Sequence, residues 1–279
     1  MNEIEDMDAD TSDSGAVVVN PWGELRQFTA ARIALGRAGV SMPTQPQLAF
    51  QLAHAQSRDA VHAELDDVAL APVLSAALGL RCLTLDSAAP DRATYLRRPD
   101  LGRMLSAASR SALTAVKRPA TPWDIGFVIA DGLSTLAIEH HALPLLRSWL
   151  ALSAAVSLSV APLVIVRQGR VAVGDEVAQL LGAQLVVVLI GERPGLSAPD
   201  SMGLYLTWQP RVGMTDEQRN CISNVRLAGL GHEDAARKLH YLVSEARRRG
   251  LSGVALKDDS DDAAPARVEH ANFLLPGEV

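Results

Sequence analysis

Four apolar runs in this sequence end in residues that could meet a ligand: Asp131-Gly132, Gly169-Arg170-Val171, Gly191-Glu192-Arg193 and Pro210-Arg211. Glycine lets the backbone approach a bound group closely and turn N–H groups toward it. In open α/β sheets, ligands sit outside the carboxyl ends of the strands. If the sheet is parallel throughout, the four ends converge on one crevice. Ser134 and Thr135 follow the first run, where a hydroxyl cap would aim a helix N-terminus at an anion. The plainer alternative is that each is an ordinary strand-to-helix turn.

Other chemistries find little support. No strand leads into G-x-G-x-x-G, since Gly229-Leu230-Gly231 follows a loop and ends in Asp234. There is no G-x-x-x-x-G-K-[ST] and no G-x-S-x-G, which disfavours a classical dehydrogenase, a P-loop phosphotransferase and a serine hydrolase. His140-His141 lies mid-helix, where neighbours point about 100° apart and are not expected to share a ligand. His232-Glu233 is not H-E-x-x-H, and Cys221 has no His at a telling spacing. The residues therefore assign no catalytic group and no metal ligand. An accessory or binding module and an enzyme with an unsigned site both stay open.

The elements that must position these ends are organised around Gln184–Leu196, QLVVVLIGERPGL. A short unbroken apolar run bounded by turn residues reads as a strand buried on both faces, which requires helices above and below it. Ile125–Ala130, Leu163–Val166 and Leu204–Trp208 read as further strands. Helices are expected from Thr135 to about Val156, from an Asp175 cap to Leu181, and from Glu233 to Arg249. This alternation predicts an α/β fold, a Rossmann-like doubly wound and mainly parallel sheet, over residues 119–257. Before it, residues 20–118 are expected to form a helical arm. Its helices begin at Asn20-Pro21-Trp22 and run to about Leu35, then span Gln47–Leu65 and Val68–Leu78. Cys82–Leu85 and Thr94–Leu96 read as a small hairpin, and Asp100 as the cap of a helix reaching about Lys117. Residues 1–19 are acidic and expected to be disordered, and 258–279 to be a loose tail.

Bulk properties set bounds. The net charge of −6 and the absence of a Lys/Arg block argue against a nucleic-acid protein. Two distant cysteines, Cys82 and Cys221, suit a reducing compartment and exclude a disulfide framework. No apolar run reaches membrane-spanning length.

Taken together, ALGRAG (34–39), YLRRPDLGR (95–103), VIADGLST (128–135), VRQGRV (166–171), LGAQLVVVLIGERPGL (181–196) and QPR…CISN (209–224) resemble, in order, the small (light) subunit of ethanolamine ammonia-lyase. The resemblance covers about Pro21 to Leu256. It implies a hetero-oligomer in which a large TIM-barrel subunit holds ethanolamine and the small subunit closes over adenosylcobalamin. The implied reaction converts ethanolamine to acetaldehyde and ammonia through homolysis of the cobalt–carbon bond. Family cobalamin contacts carry over onto Val171, Glu192 and Cys221, with Cys221 expected in a loop. No catalytic or substrate residue is implied in this chain. D-x-H-x-x-G is absent, which resembles the base-on arrangement of the cofactor. The Glu192 carboxylate is expected to accept from the cofactor's amide rim, or else to pair with Arg193 or Arg211. The arm, with Arg97, Arg98 and Arg103, is expected to meet the large subunit. The implied location is the cytoplasm, with a bacterial microcompartment as the further address, although the short acidic N-terminus gives targeting little support. The competing function is a stand-alone Rossmann-like nucleotide-binding enzyme or module, and a pure assembly protein is the third reading.

Overall fold

The computed structural model describes residues 17–29 and 31–260, so the expectations for residues 1–16 and 261–279 lie outside the described residues. Its strands are β1 (Cys82–Asp86), β2 (Gly126–Ala130), β3 (Leu163–Arg167), β4 (Leu185–Gly191), β5 (Met202–Trp208) and β6 (Asn220–Val225). They form one sheet in the order β1-β3-β2-β4-β5-β6. The helices are α1 (Thr44–His62), α2 (Asp67–Leu78), α3 (Arg92–Arg97), α4 (Ala107–Thr114), α5 (Thr135–Ser153), α6 (Val173–Leu181) and α7 (His232–Arg249). None is long and apolar enough to cross a membrane.

Every residue of β2 and β4 is buried, as their unbroken apolar sequences require. Side chains alternate between two cores. Phe127, Ile129, Val187 and Leu189 join α5 and α7 on one face, where Trp149 meets Phe127 edge-on at 4.9 Å. Val128, Ala130, Val186 and Val188 join α6 and Leu113 of α4 on the other. Each fully buried side chain of this size contributes about 1.5–3 kcal/mol, so the two faces hold the central strands in place.

Four corrections to the sequence expectations follow from identifiable forces. β1 is not half of a hairpin. It is a parallel edge strand on β3, pairing Cys82 with Leu163 through Asp86 with Arg167. Its expected partner, Thr94–Leu96, is helical because Asp91 caps α3 (Thr94 N–H to Oδ1, 2.7 Å) and Tyr95 is wholly buried. Capping and burial override the β propensity of Thr-Tyr. The helix expected from Pro21 to Leu35 is only a 3-10 turn over Pro21–Gln27. Beyond it the chain doubles back, with Ala34 and Gly36 at positive φ and Val18 pairing with Arg37. The helix expected up to Lys117 is likewise broken, into a 3-10 turn at Leu101–Arg103 and α4, because Met104 is extended.

The largest correction concerns direction. β5 runs antiparallel to β4, and β6 antiparallel to β5. The links between them, residues 192–201 and 209–219, contain no α-helix, and a link of that length can return a chain antiparallel but cannot carry a parallel crossover. Cys221 therefore lies in β6 rather than in a loop.

Candidate functional site

The antiparallel β5 prevents the four ends from converging. Leu185 pairs with Trp208, so Arg211 leaves the sheet at the amino end of β4, opposite Glu192. The crevice between β2 and β4 is also closed by backbone. A Cβ on Gly191 would lie 2.0 Å from the Ser134 carbonyl oxygen, and one on Gly132 would lie 2.3 Å from that of Gly191. Ser134 caps α5 by accepting from Ala137 N–H at 3.3 Å, while its hydroxyl donates to the Pro199 carbonyl at 2.7 Å. The start of α5 is thus covered by the chain itself.

Asp131 is equally consumed. It is 1% exposed, accepts from Gly169 N–H at 3.0 Å and faces Arg92 Nη1 at 3.3 Å. Burial pushes its carboxyl up, against the opposing charge of Arg92. Arg92 also donates to Gly132 O at 2.9 Å and to Gln168 Oε1 at 3.2 Å. Tyr95 lies between Arg92 and Arg170, whose guanidinium carbons are 5.0 and 4.4 Å from the ring centre, and its hydroxyl donates to Gly169 O at 3.0 Å. These contacts fix the turn after β3, which leaves Val171 half-buried against the core of that face. They also explain why the tyrosine could not serve a hairpin.

Glu192 and Cys221 lie near one another on the face of the sheet that carries α4 and α6, and Val171 packs against the core of the same face. α6 lies over β2 and β4, while Cys221, Ser223 and Asn224 on β6 remain exposed. Tyr205 and Cys221 are directly paired across β5 and β6, and their side chains hydrogen-bond. Local burial pushes the Cys221 thiol up, against the hydrogen bond from Tyr205. Glu192 sits beside them, close enough that a Cβ on Gly203 would come 2.9 Å from its Oε1. Its oxygens accept from Ser201 Oγ at 2.5 Å, Ser223 Oγ at 2.5 Å and Asn224 N–H at 3.3 Å. No ion pair joins it to Arg193 or Arg211 among the described residues, and its carboxylate binds β4 to β5 and β6.

Next to this patch, an open groove of about 700 Å³ runs along the start of α6. Val171, Ala172, Met104, Val212 and Met214 give it apolar walls, and its charged lining is Arg103, Arg170 and Arg193 with Glu176 and Asp216. The 209–219 link reaches the groove because Arg219 anchors it. Arg219 is buried and makes two bonds to Asp175, at 2.6 and 2.7 Å, in the first turn of α6. Asp175 is therefore not the cap expected from the sequence, because α6 begins at Val173 and the carboxylate is spent on the arginine. Arg103, Arg193 and Met214 were not singled out as a set, since they come from three connections whose proximity no spacing reveals.

Comparison with known proteins gives a single answer. Residues 19–257 match the family model described as ethanolamine ammonia-lyase light chain (EutC). The chain is 56% identical over 265 residues to the ethanolamine ammonia-lyase small subunit of Pseudomonas fluorescens strain Pf-5, covering 92% of this chain and 95% of that one. It is 57% identical over 261 residues to the small subunit of Ralstonia nicotianae, covering 93% and 96%. Identity to the small subunit of Pseudomonas syringae pv. tomato is 50% over 287 residues, covering 99% and 96%. With a family match across most of its length and relatives at this identity, the chain belongs to the ethanolamine ammonia-lyase small-subunit family.

Proposed function

We propose that this chain is the cofactor-binding small subunit of an adenosylcobalamin-dependent ethanolamine ammonia-lyase, inactive alone and completed by a large subunit that holds ethanolamine. The observation that carries this reading is the open face where Val171, Glu192 and Cys221 lie on one side of the sheet, beside the arginine-flanked groove. Its chemistry fits the group. The apolar walls suit the edge of a corrin ring. The exposed Ser223 hydroxyl and Asn224 amide can bond to its amide rim, and Arg103 and Arg193 offer donors to its phosphodiester. Arg170, stacked on Tyr95, adds a buried Nε with no hydrogen-bond partner among the described residues. When bound, adenosylcobalamin supplies the radical chemistry, and the protein contributes orientation and electrostatics.

Within that division of labour, Glu192 holds the ends of β4, β5 and β6 in register, so that Cys221 and Ser223 present a fixed surface. Val171 packs its side chain at the mouth of the groove, and the Asp175–Arg219 pair fixes the groove's far wall.

The second surface supports the partner. Most of the large apolar side chains that stay exposed among the described residues lie between 17 and 73, including Trp22, Phe28, Leu48 and Leu52. Leu48 and Leu52 are one helical turn apart on α1, 58% and 61% exposed. Contiguous exposed apolar surface marks a protein interface, and the large subunit is the occupant proposed here. The proposed location is the cytoplasm.

Co-expression with the large subunit of the same organism tests both halves. The expected result is a co-purifying complex that retains cobalamin absorbance and turns over ethanolamine, while the small subunit alone does neither. Retention of NAD or ATP instead would favour the stand-alone nucleotide-binding reading. Leu48→Asp with Leu52→Asp is expected to abolish co-purification while leaving the isolated chain folded.

A further inference from the structure

A cluster away from the cobalamin face carries chemistry that the proposed function does not use. His141 of α5 is 2% exposed. Its Nε2 faces Asp200 Oδ2 at 3.3 Å, and its Nδ1 faces His232 Nε2, at the first residue of α7, at 3.0 Å. His140, next to it, is exposed. One ring nitrogen of His140, one of His141 and a carboxylate oxygen of Asp200 all lie within 4.8 Å of one another. Adjacent positions on a helix point about 100° apart, so the pair by itself is not expected to share a ligand. The structure differs because the third group comes from outside the helix. The 192–201 link brings Asp200 to both rings, whose centres are 5.8 Å apart.

We propose that His140, His141 and Asp200 form a binding site for a divalent metal of the zinc class, joining α5 to the link between β4 and β5. Two imidazoles and a carboxylate are a donor set that Zn²⁺ takes at about 2.0–2.2 Å, with water completing a tetrahedron. Bonds of that length place neighbouring donors about 3.4 Å apart. The His141–Asp200 separation of 3.3 Å already has this value, and the His140 nitrogen lies within 4.8 Å of both. A metal-binding imidazole usually gives its other N–H to an acceptor that fixes its tautomer and ring plane. His232 Nε2 stands in that position, 3.0 Å from His141 Nδ1. The set therefore has an outer partner as well as ligands. A plain His–His–Asp hydrogen-bond network uses His141, Asp200 and His232, whereas a metal site also uses His140, so the two readings separate at His140.

The metal's task is mechanical. Asp200 precedes Ser201, whose hydroxyl donates to Glu192, and Pro199 is already held by Ser134. A metal at Asp200 fixes the link at a second point and thereby the register in which Glu192 is held. This inference rests on geometry separate from the cobalamin reading and does not need it.

The test is calorimetric titration of the metal-stripped, tag-free full chain with Zn²⁺, repeated with Co²⁺ followed by its visible ligand-field absorbance. One saturable site per chain is expected, together with a higher melting temperature. His141→Ala removes a buried ring and can fail by unfolding, so the deciding variants are His140→Ala and Asp200→Asn, which alter exposed or half-exposed groups. Both are expected to lose the stoichiometric site and the Co²⁺ band while keeping the metal-free melting temperature near wild type. His232→Ala is expected to weaken binding about 10–100-fold, as for removal of an outer partner. Cys221→Ser and His240→Ala, outside the cluster, are expected to bind as wild type. Absence of a 1:1 site in the wild-type chain, or wild-type affinity in both His140→Ala and Asp200→Asn, overturns the proposal and leaves a hydrogen-bond network only. Neither result bears on cobalamin retention by the complex.

Discussion

Glu192 Oε1 accepts from Ser223 Oγ at 2.5 Å across the full width of β5, joining strands that are not neighbours in the sheet. The carboxylate also accepts from Ser201 and Asn224, and neither Arg193 nor Arg211 pairs with it among the described residues. Hydrogen bonds to charged groups contribute about 1.5–3 kcal/mol each. Glu192→Gln replaces an acceptor by a donor and is expected to lower unfolding free energy by about 1–3 kcal/mol, measured by urea denaturation of the isolated chain. Ser223→Ala is expected to cost less, and the double variant less than the sum, because both remove one interaction. In the assembled complex, cobalamin titration of Glu192→Gln is expected to show weaker affinity, since Cys221 and Ser223 lose their fixed position. Unchanged stability and affinity would remove Glu192 from this role.

Asp175 and Arg219 form the most deeply buried ion pair described, with side chains 2% and 1% exposed. Arg219 also donates to Thr207 Oγ1 at 3.0 Å and to Met214 O at 3.0 Å. Removing one partner leaves an uncompensated buried charge, at a cost of about 3–5 kcal/mol. Arg219→Met is therefore expected to destabilise strongly, and Arg219→Met with Asp175→Leu to recover part of the loss. Thermal unfolding of the three proteins checks this. Equal loss in the single and double variants would mean that packing, not charge, is at stake.

Gly191→Ala tests the closed crevice. The added methyl meets backbone oxygens of Ser134 and Asp131 at 2.0 and 2.7 Å, and neither can rotate away. The expected outcome is an insoluble or severely destabilised chain. Gly23→Ala, with open space around it, is the matched control and should express normally.

How far the fold could be read beforehand depended on what each segment packs against. β2 and β4 were evident because burial on both faces demands unbroken apolar runs: Gly126–Ala130 falls within the expected Ile125–Ala130, and Leu185–Gly191 within Gln184–Leu196. Directions were less so, although the helix-free 192–201 link already excluded a parallel crossover. Tyr95 misled because its burial depends on Arg92 and Arg170, the latter 75 positions away and invisible to local propensity. The site shows the same division. Val171 and Glu192 stood at strand ends that the pattern exposed. Arg193 and Met214 meet only through the Arg219 anchor, and Asp200 reaches His141 across 59 positions.

Thiol reactivity gives a pH-dependent prediction. Burial pushes the Cys82 thiol up to about 11, and Cys221 is raised in the same direction. A free cysteine near 8.5 is about one quarter thiolate at pH 8, whereas one near 11 is about a thousandth. The thiol form therefore persists through neutral pH, and reaction accelerates about tenfold per pH unit until the raised value is reached. Iodoacetamide labelling of Cys82 in a Cys221→Ser chain is expected to be about 100-fold slower at pH 8 than in the urea-unfolded chain. Equal rates would contradict its burial.

The position of β1 has a consequence for how the chain is made. Among the described strands it is the first to leave the ribosome, yet its neighbour in the sheet is β3, reached 81 residues later. Synthesis at about 5–20 residues per second leaves that edge without a hydrogen-bond partner for several seconds. During this interval the nascent chain holds an open β edge beside α2, whose Val68 and Val73 are exposed. Such a species is a natural client for a holding chaperone. If the large subunit binds the exposed apolar surface as proposed, its early capture of the nascent chain would shorten that exposure.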